Sequence, residues 1–157
     1  MIGTPVIRLD DVATRLDAII AAPDVTLVAT PSELADELLG LGEAILEIWL
    51  VAHHAPPTTR EVEGFRLLAL HRQGARGDAS FNACRETCRE LVYHRNRVRL
   101  DPTHADTARR LRLGAMVARH LALLIGGKLE VAGLGDFCCA SRPLREHEAM
   151  LQSAEIA

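Results

Sequence analysis

The longest amphipathic pattern in the sequence covers residues 34–52. Six apolar residues recur there at steps of three and four: Leu34, Leu38, Leu41, Ile45, Ile48 and Ala52. This spacing places them along one side of an α-helix. Thr30, Pro31 and Glu33 come before them in the order of a capping box with proline in the first turn. The pattern predicts a long helix from Pro31 to the prolines at positions 56 and 57.

Similar but weaker signals cover most of the remaining chain. Apolar spacing, capping residues and glycine or proline boundaries predict further helices at about residues 9–21, 58–77, 78–97, 102–125 and 143–156. Gly126 and Gly127 are predicted to stop the helix over 102–125, which is apolar around most of its circumference and is expected to be central. Ser141 is predicted to cap the last helix.

Two short segments lack a helical pattern. Residues 25–29 are apolar and could be extended, and a short irregular or hairpin segment is predicted near residues 128–140. The sequence therefore predicts an all-α fold, a single-domain bundle of five or six helices over residues 1–157.

The composition fits this fold and restricts the classes of partner that the protein is expected to bind. Of the 157 residues 48% are hydrophobic but only 3% are aromatic, so the core must consist of aliphatic side chains, which favour helices. The formal net charge of −3 argues against nucleic acid or an anionic membrane as partner. The N-terminal residues show no signal or transit peptide, which predicts a cytoplasmic protein. The basic residues are arginines except Lys128, a bias typical of a GC-rich bacterial genome.

The stretch FNACRETCRELVYH, residues 81–94, carries two cysteines four residues apart. On a helix, Cys84 and Cys88 share a face with apolar neighbours, while Glu86, Glu90 and His94 share another. The spacing predicts that both thiols point into the interior and act as small hydrophobic groups. It also predicts exposed ion pairs, Glu90 with His94 and Glu86 with Arg89.

A metal site is the alternative for these cysteines. Two thiolates four residues apart on a helix can share a soft transition-metal ion if other residues complete the site. The candidate ligands are Cys84, Cys88, His120, Cys138 and Cys139. His120 falls among apolar residues in the helix over 102–125, so it is predicted to face inward, either as a hydrogen-bonded core histidine or as a ligand.

The adjacent cysteines near the C-terminus suggest a contact surface. Phe137, Cys138 and Cys139 are followed at once by Arg142 and Arg145. Either the first three residues close the end of the bundle, or they are exposed and contact a partner together with the arginines. Positive charge nearby could also lower the pKa of either thiol and make it reactive, which would suit an enzyme.

Motifs of the common enzyme and cofactor classes are missing from the sequence. It contains no Glu-x-x-His helix pair, no Cys-x-x-Cys-His haem attachment, no His-Glu-x-x-His zinc motif, no phosphate loop and no Gly-x-Ser-x-Gly nucleophile elbow. The sequence thus favours a non-enzymatic cytoplasmic accessory or regulatory protein that binds another protein or a second copy of itself. A helical protein that binds a metal or cofactor is the alternative.

Overall fold

The computed structural model of the protein describes residues 7–134. The described chain consists of helices joined by short connections: α1 (Leu9–Ala21), α2 (Asp24–Leu27), α3 (Pro31–Ala52), α4 (Arg66–Gly77), a 3₁₀ helix (Ala79–Cys84), α5 (Arg85–Leu100) and α6 (Thr107–Val131). Over residues 7–134 the only β-type pairing is an isolated bridge between Val62 and Phe65. The prediction of an all-α bundle is confirmed.

Three long helices form the centre of the bundle. α3, α5 and α6 pack pairwise against one another, α1 lies against α6 and α3, and α4 lies against α3 and α5. Their inward side chains form one hydrophobic core, whose largest fully buried members are Leu16, Ile19, Leu27, Ile45, Leu46, Leu67, Leu70, Phe81, Leu91, Leu111, Leu121 and Ile125. As the composition predicts, aliphatic side chains dominate this core.

The structure reproduces the predicted start of α3 but not its cap. Pro31 is the first helical residue, as the sequence predicts. The side chain of Thr30 makes no capping hydrogen bond, so the predicted capping box is wrong. α3 ends at Ala52, and the N–H of Ala55 then bonds to the carbonyl of Leu50 at 2.9 Å.

Residues 25–29 are not extended, because residues 24–27 form the short helix α2 with Leu27 in the core. A side chain distant in sequence holds this turn. The guanidinium of Arg112, on α6, donates to the carbonyl oxygens of Ile20 and Ala22 and to the carboxylate of Asp24. It thereby satisfies carbonyls at the end of α1 that have no partner within the helix.

α4 begins at Arg66, later than the predicted start near residue 58. Thr58 does not cap it, because its backbone is bonded to α4 itself. The Thr58 N–H donates to Gln73, and the Arg66 side chain donates to the Thr58 carbonyl. A turn at Glu63 and Gly64, both with positive φ, then reverses the chain into the helix.

α6 differs from the prediction at both ends. It begins at Thr107 rather than near residue 102, and it continues through Gly126 and Gly127 to Val131, so residues 128–131 are helical and not irregular. Gly133, the second residue after the end of the helix, has a φ of +73°. The N–H groups of Gly133 and Leu134 bond to the carbonyls of Glu130 and Leu129 at 3.0 and 2.8 Å. These two bonds form a Schellman motif, which accounts for the glycine.

Candidate functional site

The two cysteines of the central stretch are buried. Cys84 closes the 3₁₀ helix, Cys88 lies in the first turns of α5, and both are 0% exposed. Glu86 and Glu90 are exposed on the other side. The prediction that sulfur faces the interior and carboxylates face outward is confirmed.

Of the two predicted ion pairs, the structure contains one. His94 Nε2 lies 3.5 Å from the carboxylate of Glu90. Arg89 instead pairs with Glu63, on the turn before α4, at 3.1 Å. The expected Glu86–Arg89 pairing is therefore replaced by a contact between α5 and the turn.

Burial keeps both thiols protonated. It raises the pKa of Cys88 to about 12, with a smaller contribution from the neighbouring Cys84. Burial also raises the pKa of Cys84, opposed in part by the positive charge of Lys128. Since the thiolate is the nucleophile, this shift disfavours reactivity of either thiol at neutral pH.

His120 does not face inward. It is exposed on α6, because the core side of that helix is formed by Ala118, Leu121 and Ala122. Within residues 7–134 no group of three or more histidine, cysteine, aspartate or glutamate side chains is arranged to hold a metal ion.

The residues near the C-terminus lie outside the described part of the chain. These are the predicted ligands Cys138 and Cys139, and the other residues of the predicted contact surface, Phe137, Arg142 and Arg145. A metal site that pairs them with Cys84 and Cys88 remains a prediction. Elemental analysis of protein purified without a histidine tag tests it.

A buried histidine on α4 was not predicted from the sequence. His71 is 7% exposed, and its Nε2 lies 2.9 Å from the carbonyl oxygen of Phe81, to which it donates. Its ring stacks on that of Phe81, with centroids 5.5 Å apart. His71 thus fixes the 3₁₀ helix against α4. The apolar run LLAL that directly precedes it could have indicated burial.

We expect His71 to make the protein less stable in mild acid. Burial lowers the pKa of His71 below its usual value of 6.5, although the bond to the Phe81 carbonyl opposes this. As the pH falls through about 6.5, the unfolded chain gains a proton at this site that the folded chain does not, so the free energy of unfolding decreases.

Chemical denaturation of two variants between about pH 7.5 and about pH 5.5 checks this expectation. His71→Gln cannot gain a proton but keeps an N–H donor, so its stability should change less with pH than that of the unsubstituted protein. The control is His120→Gln, at an exposed histidine, which should keep the original dependence. Equal pH dependence in both variants would rule out His71 as the cause.

A polar cluster joins α6 to the start of the 3₁₀ helix. Asp78 accepts hydrogen bonds from the N–H and the hydroxyl of Ser80, at 3.0 and 2.6 Å. Lys128 donates to the Ser80 hydroxyl, and its ammonium lies about 6 Å above the rings of Trp49 and Phe81. Because Lys128 donates to Ser80, it does not act as a base on that hydroxyl. The cluster is therefore an anchored helix start rather than a serine–lysine nucleophile.

One side of α6 exposes a row of apolar side chains. We call this side the outer face of α6. It is defined by five apolar residues and the histidine among them: Leu113, Met116, Val117, His120, Leu123 and Leu124. Met116 and Leu123 are 51% and 60% exposed, and Leu113, Val117 and Leu124 are half-buried. The members recur at steps of three and four, so they form a continuous strip about 16 Å long.

The strip differs from a single exposed apolar side chain because its members recur at helical spacing over about three turns of α6. Single exposed apolar side chains such as Val51 are ordinary, whereas contiguous apolar patches are typical of contact surfaces. The exposed Arg109, one heptad before Met116, gives the strip a positive end. None of the helices described is both long enough and apolar enough to span a membrane.

Comparisons of the chain with protein-family models, with curated proteins and with solved structures found no match. The function is therefore inferred from the residues and their geometry alone.

Proposed function

We propose that this protein is a non-enzymatic helical bundle that serves as an accessory or regulatory protein, and that it binds another protein through the outer face of α6. The observation that carries the proposal is the exposed strip itself. The opposite side of α6 is fully used, since it packs against α1, α3 and α5. Val117 and Leu124 also pack against the edge of the core, whereas Met116 and Leu123 are more than half exposed. Exposed apolar side chains beside such a core are suited to binding.

The shape and charge of the strip indicate the kind of partner. A row of apolar positions at helical spacing is complementary to an amphipathic helix, whose own apolar residues recur at steps of three, four and seven. Arg109, at one end of the strip, favours an acidic residue at the corresponding end of that helix. The partner should therefore present an amphipathic helix with acidic residues beside its apolar side.

The chemistry of the interior supports a binding role over an enzymatic one. The thiols of Cys84 and Cys88 are fully buried and their pKa values are raised by that burial, and Lys128 donates to the hydroxyl of Ser80. His71 is bonded to the backbone of Phe81. These four side chains are thus held in structural roles, whereas Met116 and Leu123 of the strip remain more than half exposed.

We expect Leu123→Glu to abolish partner binding without unfolding the protein. A carboxylate placed within an apolar contact must lose its water without gaining a partner, which costs several kcal/mol of binding free energy. The matched control is Val51→Glu, on α3. Val51 is 61% exposed and Leu123 is 60% exposed, so both substitutions place the same charge at similarly exposed helical positions.

Co-purification from the cell of origin, followed by reconstitution with each purified protein that is recovered, measures the effect. The expected partner is retained by the unsubstituted chain and by Val51→Glu, and is lost with Leu123→Glu. Size-exclusion chromatography with light scattering identifies a second copy of the chain as partner in the same way. A protein that stays monomeric and without a partner, or a partner that tolerates Leu123→Glu, would contradict the proposal.

A further inference from the structure

We propose that residues 143–156 of the same chain bind the outer face of α6 and must be displaced by a partner. This inference deepens the proposed function, because it adds regulation to the same surface. The occupancy itself does not depend on any partner, so it can be tested separately.

The end of α6 fixes where the following residues start. The N–H of Leu134 is bonded to the carbonyl of Leu129, and the Leu134 side chain packs against the core. Leu134 therefore lies beside the last turn of α6 instead of continuing along the helix axis. The segment that follows is therefore attached at the last turn of α6, the helix whose outer face is exposed.

The chain after Leu134 is long enough to reach the strip and to cover it. Residues 135–142 separate Leu134 from the segment, and eight residues can reach up to about 27 Å. The near edge of the strip, Leu124, lies only about 10 Å back from the end of α6. A helix over residues 143–156 would be about 21 Å long, enough to cover the strip of about 16 Å.

The sequence of the segment matches the partner that the strip favours. Leu144, His147, Leu151 and Ala154 recur at steps of three, four and three, with Met150 beside them. The segment contains Glu146, Glu148 and Glu155 against the single Arg145, so it is acidic. If it runs antiparallel to α6, Glu155 approaches Arg109 at the positive end of the strip.

Tethering favours this segment over a second copy of the chain. A short flexible connection gives an attached group an effective concentration in the millimolar range. A second protein molecule reaches such concentrations only in very concentrated solution. The segment therefore occupies the strip first, and a partner must bind more tightly to replace it.

Methyl NMR of the full chain with ¹³C-labelled methionine tests the inference. Met116 lies on the strip and Met150 lies in the segment, so their methyl groups report on both sides of the contact. In dilute, monomeric protein we expect an Overhauser contact between the two methyls and protection of Met116 from a soluble paramagnetic agent. Leu151→Glu should remove the contact and raise the relaxation of the Met116 methyl severalfold.

The control is Gln152→Glu, which adds the same charge on the opposite side of the predicted helix and should leave Met116 protected. Equal exposure of the Met116 methyl in the unsubstituted chain and both variants would overturn the inference. So would protection that disappears on dilution, because it would assign the strip to a second copy. Neither NMR measurement requires a partner. A negative NMR result would therefore overturn only the binding of residues 143–156, whereas the proposed function is tested separately by the binding of a partner to Leu123→Glu.

Discussion

Replacing Phe81 by alanine is expected to lower the free energy of unfolding by about 3–5 kcal/mol. Its side chain is 0% exposed and connects three elements of the bundle. The ring lies 5.3 Å from that of Trp49 on α3 and 5.5 Å from that of His71 on α4. Truncation to alanine removes these contacts and leaves a cavity that two rigid rings cannot fill.

Urea denaturation measures the loss, with Tyr93→Ala as the control. Tyr93 is an aromatic residue on α5 that is 52% exposed, so its truncation should cost far less. If Phe81→Ala does not fold, Phe81→Leu keeps the test available with an expected loss of about 1–2 kcal/mol. Similar losses for Phe81→Ala and Tyr93→Ala would show that the ring does not connect these elements.

Gly74→Ala is expected to destabilise the protein by about 1–3 kcal/mol, although alanine is the better helix former. A Cβ at position 74 would lie 2.6, 2.9 and 3.0 Å from three atoms of the Phe81 ring. The ring is fully buried and cannot move away cheaply. Gly74 is therefore required where α4 and the 3₁₀ helix approach each other.

The control for Gly74→Ala is Gly40→Ala, within α3, where an added Cβ meets nothing within 4 Å. That substitution should instead stabilise the protein by about 0.5–1 kcal/mol. Denaturation of the double variant Gly74→Ala/Phe81→Leu adds a second check, because a smaller side chain should relieve the clash and make the two costs less than additive. Strict additivity, or a stabilising Gly74→Ala, would contradict the close contact.

The sequence predicts the helices that carry strong local signals. α1 and the start of α3 have the predicted bounds, because apolar spacing and Pro31 act within a few residues. α2 was not predicted because the side chain that holds it, Arg112, is distant in sequence. Arg112 lies 88 residues from Asp24, to which it donates. Interactions of this kind cannot be read from a local pattern.

Glycine misled the prediction of the end of α6. Each helical glycine costs about 1 kcal/mol, so Gly126 and Gly127 looked like a stop. The packing of α6 against its neighbours overrides that cost, and the helix ends at Val131, two residues before Gly133, whose positive φ favours glycine. Only the structure distinguishes a tolerated glycine from a required one.

The sequence predicted the burial of the two cysteines correctly but the position of His120 wrongly, and the difference has a physical reason. The direction of Cys84 and Cys88 follows from the spacing of apolar and polar residues in the sequence, although Cys84 lies in the 3₁₀ helix and Cys88 in α5. α6 is apolar around most of its circumference, so its pattern does not say which side packs. His120 was therefore assigned to the interior, when it lies on the side that the described residues leave exposed.

A photoreactive benzophenone amino acid at position 123, compared with the same group at position 51, tests most directly whether the outer face of α6 is a contact surface. Both positions are about equally exposed, at 60% and 61%. In the cell of origin, position 123 should crosslink within the chain to residues 143–156 and to a second protein, and position 51 should give neither product in comparable yield. Equal or absent crosslinking at both positions would show that the strip faces only water.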